Sequence, residues 1–150
     1  MLDSLVKKID VPCSQEKAFD IFVNAMSSWW PLDRFTMSAH DGKVPKSLTV
    51  DAKEGGQIVE IGHDDTEHLW GTIKTYDPFG YLAMHMHMGM PPCDSLVEIK
   101  FQAVSDHQTQ VELTHSNWEA YGEMADMMYN GYGTGWTVIF EEEFKAACSK

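Results

Sequence analysis

The run Leu82-Ala83-Met84-His85-Met86-His87-Met88 comes nearest to metal chemistry in this chain. On a strand, alternation places Leu82, Met84, Met86 and Met88 on one face and His85 with His87 on the other. Two imidazoles at i and i+2 could share a metal if another strand added a third ligand. No carboxylate stands at a matching spacing, so both histidines are read as solvent-facing and no metal site is assigned. The methionine face is either plain core or a soft cavity wall, because the unbranched thioether side chain adapts to irregular shapes.

His115 differs from that pair. It shares a strand face with Val111 and Leu113, which puts an imidazole in line with residues that point toward the core. It is read as a buried ring satisfied locally, with ligand contact as the alternative and general-base work as a weaker one. Glu60 has the parity of a polar group facing a cavity, although a solvated strand residue is the commoner outcome, whereas Glu98 alternates against Val97, Ile99 and Phe101 and should face water. Cys13, Cys93, Ser27 and Ser28 supply nucleophile types, but neither a GxSxG elbow nor a Cys/His signature accompanies them. No catalytic residue is assigned. Trp29, Trp30, Trp70, Trp118 and Trp136 can each fill core or line a ligand site. Gly131, Gly133 and Gly135 follow a Met-rich helical segment, which excludes a phosphate-binding loop and points to a bend or a close backbone approach.

The elements that must position these groups read clearly. A chain of 150 residues with 43% hydrophobic content suits one domain spanning residues 1–150. Ser4–Val11 is the first strand, and Pro12 ends it. Ser14 then caps a helix carrying Ala18, Phe19, Ile21, Phe22 and Met26, which Pro31 closes. Six β-rich runs follow: Ser47–Ala52, Gln57–Gly62, Glu67–Tyr76, Tyr81–Met88, Ser95–Val104 and Thr109–His115. Past the glycines, Trp136, Ile139, Phe140, Phe144 and Ala147 recur at helical spacing with glutamates opposite, giving an amphipathic helix to the chain end. The expected class is α+β with a helix-grip fold, a curved antiparallel sheet of about seven strands with two short helices and a long C-terminal helix. An open two-layer sandwich could use the same elements.

Charge and composition narrow the partners. Acids outnumber bases 23 to 11, for a formal charge of -12, which opposes phosphate backbones and excludes nucleic acid. No apolar run is long enough to insert into a membrane, and the start lacks the apolar stretch of a signal peptide, so a cytoplasmic location is expected. Three well-separated cysteines suggest neither a disulfide framework nor a thiolate site. A homodimer through an edge strand is possible, but nothing selects it over a monomer.

Ile9-Asp10-Val11-Pro12 with Ala18-Phe19, then Trp29-Trp30-Pro31, Gly55-Gly56, Trp70-Gly71, Asp77-Pro78, Leu113-Thr114-His115-Ser116 and Gly135-Trp136 together resemble the Aha-type family. These are relatives of the activator of heat-shock protein 90 ATPase, within the START and birch-allergen-like (SRPBCC) superfamily. The resemblance implies a cavity between sheet and C-terminal helix, used across the superfamily for apolar ligands, with a minority of relatives being enzymes. It places Trp30 at the cavity mouth and Trp136 at the start of the long helix. It also implies that chaperone contact needs a separate N-terminal domain, for which these residues leave no room, so that contact is not expected. The expected function is binding of a small apolar ligand, without a cofactor, by Trp30, Glu60, Trp70, Met84, Met86, His115, Met128, Tyr129 and Trp136. The alternatives are a cyclase or hydrolase using His115, and a protein-interaction module.

Overall fold

The computed structural model describes residues 2–150. Alternating apolar residues form seven strands: β1 (Leu5–Val11), β2 (Ser47–Val50), β3 (Gln57–Ile61), β4 (Glu67–Asp77), β5 (Tyr81–Met86), β6 (Leu96–Ser105) and β7 (Gln108–Ser116). They make one antiparallel sheet in the order β1-β7-β6-β5-β4-β3-β2. The six-stranded meander therefore runs in sequence, and the first strand adds to its far edge. Register shifts between Ile58 and Val59, Ile73 and Thr75, and Ala103 and Ser105 mark irregularities in three of the ladders. Bulges of this kind bend strands and raise their twist, which curls a sheet. Gly71 serves the same curvature, because a Cβ there would stand 2.5 Å from the His85 carbonyl oxygen on the neighbouring strand.

Between β1 and β2 lie α1 (Gln15–Asn24), α2 (Met26–Trp29) and α3 (Met37–His40). The Ser14 hydroxyl caps α1 by accepting from the Lys17 amide, as its sequence position implies. Phe19, Phe22 and Val23 of α1 are buried in the core cluster, with Phe22 5.2 Å from Phe144 in an edge-to-face pair.

After β7 a short 3-10 helix (Trp118–Met124) leads into Ala125–Trp136, Thr137–Phe144 and Lys145–Cys148. These run on without a break as one helix, residues 125–148, named α4, whose middle portion is π-wound. The bend expected at Gly131, Gly133 and Gly135 is replaced by continuous helix. Each glycine disfavours helix by about 1 kcal/mol relative to alanine, and tertiary packing carries the segment: Tyr132, Gly135, Trp136, Ile139, Phe140 and Phe144 are buried. The sheet curls around this helix, so the helix-grip arrangement is the one observed.

Candidate functional site

The MHMHM run departs from simple alternation at its end. Leu82, Met84 and Met86 are buried in the core. Beyond Met86 the strand stops, and the amides of His87 and Met88 both donate to the Trp70 carbonyl, each at 2.8 Å. His87 is consequently 2% exposed rather than solvent-facing, with Nδ1 2.9 Å from the Met90 carbonyl oxygen. Burial pushes its pKa down against the opposing effect of that bond. His85 stays half-buried on the sheet, near the Ser95 carbonyl. The two imidazoles therefore occupy different environments, and among the described residues no group of three His, Cys, Asp or Glu could hold a metal ion.

His115 is fully buried at the centre of an aromatic box. It stacks on Trp118 with centroids 4.0 Å apart, and Tyr132 meets it edge-on at 4.6 Å. The Trp136 indole N–H donates to His115 Nδ1 at 3.0 Å, so Nδ1 is unprotonated and the neutral ring carries its proton on Nε2. Nε2 lies 3.2 Å from the Tyr121 hydroxyl, which itself donates to the Met86 carbonyl at 2.7 Å. The chain Trp136, His115, Tyr121, Met86 is thus directional, and both ring nitrogens are engaged. Burial lowers the His115 pKa to about 3, which keeps the ring neutral, and its one lone pair, on Nδ1, is taken by the Trp136 N–H, so none is left for acid–base work on a substrate.

Glu60 caps the first turn of α3. Its Oε1 accepts from the Met37 amide at 2.7 Å and the Trp70 indole at 3.0 Å, while Oε2 accepts from the Ser38 amide and hydroxyl. Burial pushes its pKa up, but these four donors outweigh that and hold it below the ordinary value. Trp30 packs 4.9 Å from Trp70 and 6.0 Å from Trp136. Three indoles thereby occupy the middle of the space between sheet and helix. Tyr129 lies half-buried, edge-on to Trp118 at 5.1 Å. Glu98 is half-buried too, and accepts from the Tyr81 hydroxyl.

An apolar groove of about 380 Å³ opens beside this packed centre. Three segments build it: residues 34–40 around α3, the β5–β6 turn at Met88 and Met90, and one face of α4 with Met124 just before it. Six methionines line it, Met37, Met88, Met90, Met124, Met127 and Met128, together with Phe35, Tyr132 and Ile139. Glu60 reaches it indirectly, by fixing the α3 turn that presents Met37. Gly89, at φ +82°, makes the β5–β6 turn, and a Cβ there would stand 2.7 Å from the Met37 sulfur. Gly131 supplies the concavity on the helix, since a Cβ there would meet nothing within 4 Å. Gly135 lets Phe35 approach to 3.6 Å of where its Cβ would be. Met127 is 64% exposed, a large apolar side chain held at the mouth.

Of the residues expected to bind ligand, Met128 lines this groove. Trp30, Glu60, Trp70, Met84, Met86, His115 and Trp136 lie in the packed interior behind it, and Tyr129 faces away toward Trp118. Sequence reasoning allows Met88 as a cavity wall and singles out Gly131 for its backbone, and it misses Phe35, Met37, Met90, Met124, Met127, Tyr132 and Ile139 as lining. A signal was present: Met124, Met128, Gly131, Gly135 and Ile139 recur at spacings of three and four, one helix face, once the glycine segment is read as helix.

The sequence pattern of the family described as activator of Hsp90 ATPase homolog 1-like protein matches residues 12–148. No curated protein matches significantly. Among solved structures, the anthrahydroquino-γ-pyrone synthase Txn09, solved as a complex, shares 25% identity at a TM-score of 0.67, over 98% of this chain and 97% of that one. The self-sacrificing resistance protein CalC from Micromonospora echinospora shares 21% identity at 0.71, over 97% and 93%. The Aha1 dimer from Colwellia psychrerythraea shares 13% at 0.60, over 94% and 99%.

Proposed function

The chain belongs to the family of activator of Hsp90 ATPase homolog 1-like proteins, and from that premise we propose that it binds a small apolar molecule in the methionine-lined groove between α3, the β5–β6 turn and α4. The observation that carries this reading is the groove's lining: six thioethers, two aromatic rings and Ile139 around a space of about 380 Å³. That volume falls in the range of small-molecule sites, about 300–1,000 Å³, and would otherwise hold roughly a dozen waters at ~30 Å³ each against surfaces that give them few partners.

The mechanism is exclusion of water, worth about 25 cal/mol for each Å² of apolar surface covered. Methionine suits this role because its flexible, polarisable chain repacks around different shapes and favours aromatic rings. No helix among the described residues is long and apolar enough to cross a membrane, and the charge of -12 disfavours anionic surfaces, so the ligand is a single molecule taken into the groove. The similarity to Txn09, at 25% identity over nearly all of both chains, supports a ring-containing ligand. His115, with both nitrogens engaged in the interior, does not support the cyclase or hydrolase alternative.

The test is native mass spectrometry of protein purified without detergent, followed by titration with an apolar aromatic panel. One-to-one binding that is lost in a Gly131→Leu variant supports the reading. Binding undiminished by that substitution overturns it.

A further inference from the structure

Tyr132 is a wall of the groove, yet its hydroxyl is the one buried side-chain polar atom among the described residues without a hydrogen-bond partner. The residue as a whole is 7% exposed. Its ring is held firmly, parallel to Trp136 at 5.8 Å and to Tyr121 at 6.3 Å.

The Tyr121 hydroxyl stands beside that hydroxyl but falls short of hydrogen-bond geometry with it, and the other polar groups nearby are committed elsewhere. The Met86 carbonyl accepts from both the Tyr121 and the Ser95 hydroxyls. His115 accepts from Trp136 on one nitrogen and, as the neutral ring, donates to Tyr121 from the other. The remaining polar groups of the groove are likewise engaged or stand at its rim. Thr36 donates to the Leu32 carbonyl and accepts from the Ala39 amide. Arg34 reaches Asp33 and Glu143, each at 3.5 Å, and His40 is exposed.

An unsatisfied buried hydroxyl is destabilising, and a phenylalanine of nearly the same shape would avoid it. Its retention beside an apolar groove fits a donor kept for a ligand. We infer that Tyr132 is the hydrogen-bond donor of the groove, and that the ligand is an apolar, ring-containing molecule bearing a carbonyl or comparable acceptor oxygen at its inner end. Burial, reinforced by the neighbouring Tyr121, raises the phenol pKa well above the ordinary value, so the proton stays in place for donation. The groove's methionines, which shift at low energy, are the side chains that must move for a ligand oxygen to reach the hydroxyl. This inference rests on the groove being a ligand site.

The experiment compares 9-fluorenone with fluorene, which share one ring frame and differ in a carbonyl against a methylene, on the wild type and Tyr132→Phe. The expected result is that the wild type prefers fluorenone by about five- to tenfold, the effect of one net hydrogen bond. Tyr132→Phe should lose that preference while keeping its fluorene affinity, with a thermal midpoint unchanged or raised. Equal binding of the two probes by the wild type, or a preference that survives in Tyr132→Phe, overturns the inference and leaves the groove standing. A midpoint lowered by several degrees shows that the hydroxyl is satisfied inside the protein, and also overturns it. Failure of both probes to bind the wild type removes the groove reading and this inference together.

Discussion

Substituting Gly131 should raise stability, and a large side chain there should weaken binding at the same time. Gly131 lies within the continuous helix α4, and a Cβ built there meets no atom within 4 Å. Gly131→Ala therefore gains helix propensity, about 0.8–1 kcal/mol, without a clash. In a chain of this size that corresponds to a thermal midpoint about 2–4 °C higher. Gly131→Leu gains a similar amount, and its side chain projects into the groove. A ligand that forfeits burial of two to three methylene equivalents at ~0.8 kcal/mol each loses about 2 kcal/mol, roughly thirty-fold in affinity. The assay pairs thermal unfolding with titration of an environment-sensitive apolar dye on wild type, Gly131→Ala and Gly131→Leu. Alanine should raise the midpoint with little change in affinity, and leucine should raise the midpoint and weaken the dye. A lowered midpoint for Gly131→Ala would refute the helical accounting. Undiminished dye binding by Gly131→Leu would refute the groove.

Burial holds the folded-state pKa of His115 near 3, against an ordinary 6.5 in the unfolded chain, so its contribution to stability is complete above pH 7 and is lost as pH falls through that window. At pH 4.5 the unfolded chain is protonated there and the folded one is not, which costs the fold about 2–3 kcal/mol relative to pH 7; the difference in urea-derived stability between pH 7 and pH 4.5 should shrink by that amount in His115→Gln, and an unchanged difference would contradict the neutral-ring assignment. Glu60→Ala strips four donors of their acceptor, and should destabilise by at least about 3 kcal/mol, since each unsatisfied buried group costs about 1–3 kcal/mol; a loss under 1 kcal/mol by denaturant titration would count against the cap. Cys93 is half-buried whereas Cys13 and Cys148 are buried, and burial with Cys13 alongside raises the Cys148 thiol pKa; alkylation at pH 8 with peptide mapping should modify Cys93 first and the other two only on unfolding, and rapid Cys148 labelling in the folded protein would oppose this packing.

The strands were legible because their apolar residues alternate with period two and their turns carry Gly, Pro and Asp. All seven observed strands begin and end within two residues of expectation, as β3 and β6 illustrate with Gln57–Ile61 and Leu96–Ser105. Where reasoning from period two ran out, a turn decided the outcome. His87 is buried because two successive amides share the Trp70 carbonyl, which local alternation does not encode. The glycine segment looked like a break because intrinsic propensity says so, while Tyr132, Trp136 and Phe140 hold it in helix through contacts with residues far away in sequence. The groove was the least legible feature. Its walls come from residues 34–40, 88–90 and 124–139, and a methionine reads the same whether it faces core or cleft. Glu60 has the parity of a cavity group, but the strand alone does not separate that from a solvated residue, because the partners that hold it at Met37 and Ser38 lie more than twenty residues away.

The most direct test of ligand binding in the groove is a titration of protein carrying ¹³C-methyl methionine, with 9-fluorenone as the probe. The methyl signals of Met37, Met88, Met90, Met124, Met127 and Met128, which line the groove, should shift together and saturate, while those of Met26, Met84 and Met86, buried in the core, stay in place. Silent groove methyls at saturating probe, or shifts confined to Met84 and Met86, would contradict the account.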